Sequence, residues 1–178
     1  MGVLISYFES DNTPVGLYNM ALQISAPLSL IPNIVATVMF KQFAHSSKIA
    51  KNVVLSMLGI SACAFVFISV IAGPFVRIVY GEDYLGAIPL VKYLSIGAVL
   101  YGIADFYNRF LLSKGQGKQL RNASFCVGSC LLISGVLLTK YFGVSGAACA
   151  RIISGTVYVL VIWFYYMRIV SDNKGKAL

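Results

Sequence analysis

Residues 52–76 read NVVLSMLGISACAFVFISVIAGPFV, and no side chain from Asn52 to Val76 is charged. The hydrocarbon core of a bilayer is about 30 Å thick, and about 20 helical residues cross it, so this run is long enough to span a membrane. A membrane β-barrel would instead alternate polar and apolar residues over segments of about ten. Here the apolar run is continuous.

The rest of the chain repeats the pattern. Asn12 to Phe40 and Asn122 to Thr139 carry no charge, while Leu85 to Ser113 and Val144 to Met167 are long and apolar with isolated charges. These runs predict five spans, at 14–40, 53–80, 85–113, 122–141 and 144–167. The fold class is therefore all-α, a polytopic transmembrane bundle in one domain over residues 1–170, followed by a polar cytoplasmic tail at 171–178. Composition agrees: 58% of the chain is apolar and 11% charged. A soluble domain carries about 25% charged residues, and a chain this poor in charge could not cover a surface facing water. Met1 to Phe8 is apolar but too short to span. It lacks the basic flank and small-residue cleavage site of a signal peptide, and reads as the last part of a further span whose beginning is absent.

The formal net charge is +8. Its distribution points to orientation, not to nucleic acid. Lys41, Lys48 and Lys51 follow the first span, Lys114, Lys118 and Arg121 the third, and Arg168, Lys174 and Lys176 the fifth. The opposite side holds Glu9, Asp11, Glu82 and Asp83 with Lys140 as its basic loop residue. Basic loops stay in the cytoplasm, so the loops around His45 and Gly115 and the C-terminus are expected there. The tail lysines are placed to touch anionic membrane lipids.

Local signals refine the spans. Pro14 suits an opening turn, while Pro27 and Pro32 each remove a backbone donor and should bend the first span. Gly81 reads as a helix stop. The Gly115-Gln116-Gly117 turn follows no strand, so it is no nucleotide fingerprint. Gly143-Val144-Ser145-Gly146 predicts a tight turn. Gly146, Ala150 and Ser154 form a small-residue stripe for close helix packing, and Trp163, Tyr165, Tyr166 and Arg168 form an interfacial belt. Cys63, Cys126, Cys130 and Cys149 lie inside spans with no histidine near, and read as small buried packing residues. His45 is a loop residue. No metal or cofactor site is expected.

Five charges fall within the spans: Arg77, Lys92, Asp105, Arg109 and Arg151. Each costs about 2.5–3.5 kcal/mol at mid-membrane, so together they could cost on the order of 10 kcal/mol facing lipid. Arg77, near a span end, can snorkel. Lys92 and Arg151 each lie about seven residues in, roughly 10 Å at the helical rise, which favours a shared wet cavity. Asp105 and Arg109, four apart, can pair along one helix face. On an ideal helix Lys92 points about 140° from Asp105, so one cavity can hold both only if the third span is bent or buried on most sides. All five are candidate cavity residues, and their excess of cations points to an anionic ligand such as a phosphate. On the residues alone, Tyr101 and Tyr107 read as ordinary packing between helices.

Three motifs carry a resemblance. Val15-Gly16-Leu17-Tyr18 with Ala21, then Tyr80-Gly81-Glu82-Asp83-Tyr84-Leu85-Gly86-Ala87-Ile88-Pro89-Leu90, then Gly143-Val144-Ser145-Gly146-Ala147-Ala148 with Ala150 and Ser154, stand in that order. They resemble the polysaccharide transport branch of the MOP flippase superfamily, which includes Wzx-type O-antigen flippases. The likeness is to the second six-helix half of such transporters, covering nearly the whole chain. It implies translocation of an undecaprenyl-pyrophosphate-linked oligosaccharide across the bacterial inner membrane for O-antigen or other surface polysaccharide. It also implies a multi-pass protein acting with an N-terminal half and with polysaccharide assembly proteins. Two other readings stand beside it: a multidrug-type exporter of the same superfamily, and a truncated membrane fragment that transports nothing. The multidrug reading expects an acidic cavity, and Asp105 is the only acid within a span. No paired acids, histidine cluster or nucleophile constellation points to an enzyme.

Overall fold

The computed structural model describes residues 2–8 and 13–175. It is 91% helical, with no strand among the described residues. The helices are α1 (Gly2–Phe8), α2 (Thr13–Ser25), α3 (Pro27–Val38), α4 (Phe40–His45), α5 (Lys51–Val79), α6 (Ala87–Ser113) and α7 (Gly117–Gly175). Four stretches are long and apolar enough to cross a membrane: Thr13–Val38, Lys51–Val79, Ala87–Ser113 and Gly117–Ser171. The chain is thus an all-α polytopic bundle.

The last stretch has 55 residues, about 80 Å of helix at 1.5 Å per residue, far more than one bilayer. Gly143 divides it, at φ 56° and ψ −136°, a conformation open to glycine alone. Ala123 and Val127 from the first arm share one core cluster with Tyr158, Ile162 and Tyr166 from the second. The two arms therefore lie side by side as a hairpin. This is the turn read from Gly143-Val144-Ser145-Gly146, and it brings the number of crossings to five.

The first span is broken at Pro27, whereas Pro32, also expected to bend it, lies inside α3. Pro27 has no N–H to offer the Gln23 carbonyl. Ala26 nonetheless stays helical (φ −55°, ψ −40°) and bonds the Leu22 carbonyl at 2.9 Å, so the path from α2 to α3 continues through a local break. Ser25 and Ser29 donate to the Leu22 and Ala26 carbonyls at 3.0 and 2.9 Å around it. A second break at Met39 (φ −86°, ψ 1°) sets off α4. Pro32 remains inside α3 and marks its closest approach to α6: a Cβ on Gly102 would stand 2.9 Å from the proline ring and 3.2 Å from Ser29 Cα.

Helix α6 is the central post. Its buried residues lie all round it, from Leu90 and Val91 through Gly97, Gly102 and Ala104 to Phe110 and Leu111. That explains why its sequence shows little helical periodicity. By contrast α5 buries a single stripe, Met57, Ser61, Ala72 and Val76. It ends at Gly81 (φ 89°), the expected stop.

Buried side chains form two apolar clusters. One joins Phe43, Met57, Phe106, Phe110, Ile162 and Tyr166 near the basic loops. The other joins Ile5, Tyr18, Val76, Leu90, Leu94 and Ala147 at the opposite end. Along α6 the buried members of one cluster stop at Leu94 and those of the other begin at Ala104, on either side of the middle of the helix.

Gly146, Ala150 and Ser154 are all buried, and Ser154 meets Tyr101 of α6. Leu160 on the same arm is 62% exposed. Ala150→Leu should therefore overpack the bundle, at about 1–3 kcal/mol, and lower the melting temperature in detergent. Leu160→Ala should leave it nearly unchanged. Equal melting of the two variants would place the stripe against lipid.

Three expectations need correction. Cys63 and Cys126 are exposed, not buried; a thiol is a small, weakly polar group that a lipid-facing surface tolerates. Residues 171–175 of the expected tail continue α7 as helix. The expected ion pair of Asp105 with Arg109 does not form, for the reason given below. Glu9, Asp11 and Lys176 lie outside the described residues.

Candidate functional site: a polar layer across the bundle

Where the two apolar clusters border each other, polar side chains from α2, α3, α6 and α7 meet, Tyr158 and Tyr18 being also members of the clusters. On α6 they stand at Tyr101, Asp105 and Asn108, spaced by four and three residues, and so share one face. On α7 they are Arg151, Ser154 and Tyr158, again on one face. The glycines let these faces meet. A Cβ on Gly97 would stand 3.3 Å from Arg151 Cγ, and one on Gly155 would stand 3.1 Å from Leu100 Cβ.

Asp105 is the hub. Its Oδ1 accepts from the Tyr158 hydroxyl at 2.9 Å and its Oδ2 from the Asn33 amide at 3.2 Å. Asn108 in turn donates to the Tyr158 oxygen at 2.7 Å. One carboxylate thus ties α3, α6 and α7 together. Both its oxygens accept from donors on other helices, and the carboxylate makes no ion pair with Arg109. Arg109 is exposed instead, in a groove of about 430 Å³ between α3 and α6 whose wall includes Asn33 and Thr37.

Arg151 is half-buried, and its guanidinium lies 5.3 Å from the centre of the Tyr101 ring, a cation–π contact. The Ser154 hydroxyl donates to the Arg151 carbonyl at 3.1 Å, leaving Tyr101 as the donor in its 2.8 Å contact with Ser154. Tyr101 also packs on Tyr158 at 5.7 Å, so an aromatic pair separates Arg151 from Asp105. Arg151 Nε is buried with no hydrogen-bond partner, while the buried Tyr18 hydroxyl lies beside the Arg151 side chain, which acts on it as a charge and as a hydrogen-bond donor. No carboxylate pairs with Arg151: among the described residues the ion pair is Arg77 with Glu82, at 2.8 Å.

The five sequence candidates therefore separate. Asp105 and Arg151 belong to the layer, and Arg109 sits beside it at the Asn33 groove. Arg77, two-thirds exposed, forms its ion pair at the end of α5. Lys92 is exposed and, five residues before Gly97, points about 140° away from the side of α6 that meets Arg151. The layer also includes Asn33, Asn108, Tyr158, Ser154 and Tyr18, which a search for charges passes over. Two asparagines within apolar spans were the available signal. Tyr107 faces the aromatic cluster near the basic loops, not the layer.

Comparison with protein-family models, with curated proteins and with solved structures gave no match.

Proposed function

We propose that this chain is the second half of a transporter that flips an undecaprenyl-pyrophosphate-linked oligosaccharide across the bacterial inner membrane, for O-antigen or other surface polysaccharide. The observation that carries the reading is Arg151. It is a cation at mid-bundle with a buried, unpartnered Nε and no counter-ion. Leaving such a group unsatisfied costs free energy, and an anion reaching it would recover that cost. Arginine suits pyrophosphate because its planar fork donates two parallel hydrogen bonds. The Tyr18 hydroxyl, held near the guanidinium, adds a third donor. Asp105, held by Tyr158 and Asn33, braces the helices that carry this seat.

The resemblance of the three motifs to polysaccharide flippases supports the same reading. The multidrug reading needs an acid open to a cationic drug, and both oxygens of Asp105 are already bonded. In operation the lipid tail stays in the bilayer while pyrophosphate and sugars cross between this half and its partner half.

Deleting the chain from its host is the direct test. Surface polysaccharide should fall and lipid-linked oligosaccharide should build up on the cytoplasmic leaflet, both restored by the intact chain. Unchanged display together with unchanged lipid-linked pools would remove the proposal.

A further inference from the structure

A groove of about 690 Å³ lies away from the polar layer, where α5 begins beside the second arm of α7. Its chemistry changes along its length. Lys48 and Lys51 stand at one end, both exposed and without an ion-pair partner among the described residues. Val54, Leu55 and Leu58 continue the groove along α5. The seven residues from Lys51 to Leu58 rise about 10 Å, carrying the groove from the membrane surface into hydrocarbon.

The other wall is three interlocked rings. Tyr107 packs on Trp163 at 5.4 Å and on Tyr166 at 5.1 Å, and Trp163 on Tyr166 at 5.7 Å. The Tyr166 oxygen accepts the Ile49 backbone N–H at 3.3 Å, which holds the segment bearing Lys48 against α7. Trp163 is 44% exposed, and its indole N–H makes no hydrogen bond among the described residues.

We propose that this groove binds an anionic phospholipid from the leaflet on the basic side of the protein. The headgroup phosphate sits at Lys48 and Lys51, and an acyl chain lies along Val54, Leu55 and Leu58 against the ring wall. Charge complementarity at one end and an apolar trough about 10 Å deeper match the polarity profile of a phospholipid. A soluble anion would satisfy the lysines and leave the trough empty. The bound lipid clasps α5, α6 and α7 at one point. This inference rests on the bundle lying in a membrane and not on the flippase reading.

Trp163 is the only tryptophan in the chain, so its fluorescence reports this groove alone. The full-length chain is placed in nanodiscs of phosphatidylcholine. Phosphatidylglycerol with brominated acyl chains is added in one series and brominated phosphatidylcholine in the other. Quenching by the anionic lipid should half-saturate at a mole fraction about 25-fold lower, about five-fold for each of the two lysines. Lys48→Gln with Lys51→Gln should bring the two lipids level without changing the melting temperature in phosphatidylcholine. Each single variant should lose part of the preference, and Lys140→Gln none. Equal quenching by both lipids in the unsubstituted protein would overturn the proposal. So would competition by dissolved glycerol phosphate, which would mark a phosphate site indifferent to the lipid.

Discussion

Gly146→Val is expected to prevent the folded protein from accumulating. The hairpin in α7 closes so tightly that a Cβ on Gly146 would overlap the carbonyl group of Leu138 and stand 3.1 Å from Phe142 Cβ. The obstacle is backbone on the opposite arm, which cannot rotate aside as a side chain would. Overpacking of an ordinary core costs about 1–3 kcal/mol; with backbone in the way the cost is about 3 kcal/mol or more. That is a large part of the stability of a whole domain. Gly143→Ala should be milder, because its cost is that of holding a side chain in the φ 56°, ψ −136° conformation, about 1–3 kcal/mol. Gly128→Ala provides the control, since nothing lies within 4 Å of its added Cβ. Melting in detergent should fall in the order Gly128→Ala, Gly143→Ala, Gly146→Val. A Gly146→Val protein that melts with the unsubstituted chain would mean that the two arms are further apart than described.

The contrast between these glycines shows what the sequence makes legible. A long apolar helix is a local property of length and charge, so the four stretches long enough to span, and the turn that divides the last of them, could be read directly. The turn at Gly143 was equally local, since a Gly-Val-Ser-Gly run between two apolar segments has few other readings. The polar layer was legible only in part. Asp105 and Arg151 announce themselves by their cost in lipid. Their partners do not. Asn33 and Tyr158 reach Asp105 across 72 and 53 residues of chain, and no spacing rule links positions so far apart. The expected pairing of Asp105 with Arg109 failed for the same reason: an (i, i+4) pair contributes only about 0.2–0.5 kcal/mol, and two donors from other helices outweigh it. The cysteines failed differently. Burial of apolar groups is a rule for proteins in water, and a lipid-facing surface removes the incentive to hide Cys63 or Cys126.

Arg151 is where stability and function should separate. If its unsatisfied Nε is held ready for an anion, removing the charge should relieve the resting protein and disable transport. Arg151→Met keeps much of the side-chain volume against Gly97 and Tyr101 but needs no hydrogen bonds. It should melt at or above the temperature of the unsubstituted protein, because a buried polar group without a partner costs about 1–3 kcal/mol. Its surface polysaccharide display, measured at matched membrane abundance with the partner half supplied, should drop about ten-fold or more, the loss of one charge-assisted hydrogen-bonded contact. Arg151→Gln should lose display to a similar extent. Arg151→Lys should retain part of the display, since the charge remains while the planar fork is lost. Lys92→Gln, on the far side of α6, should display nearly normally. A structural arginine would show the opposite pattern, with Arg151→Met losing melting temperature and keeping display in proportion to the folded protein left. Normal display from Arg151→Gln at normal abundance would leave the polar layer as a brace between helices and remove it as the seat of the ligand's pyrophosphate.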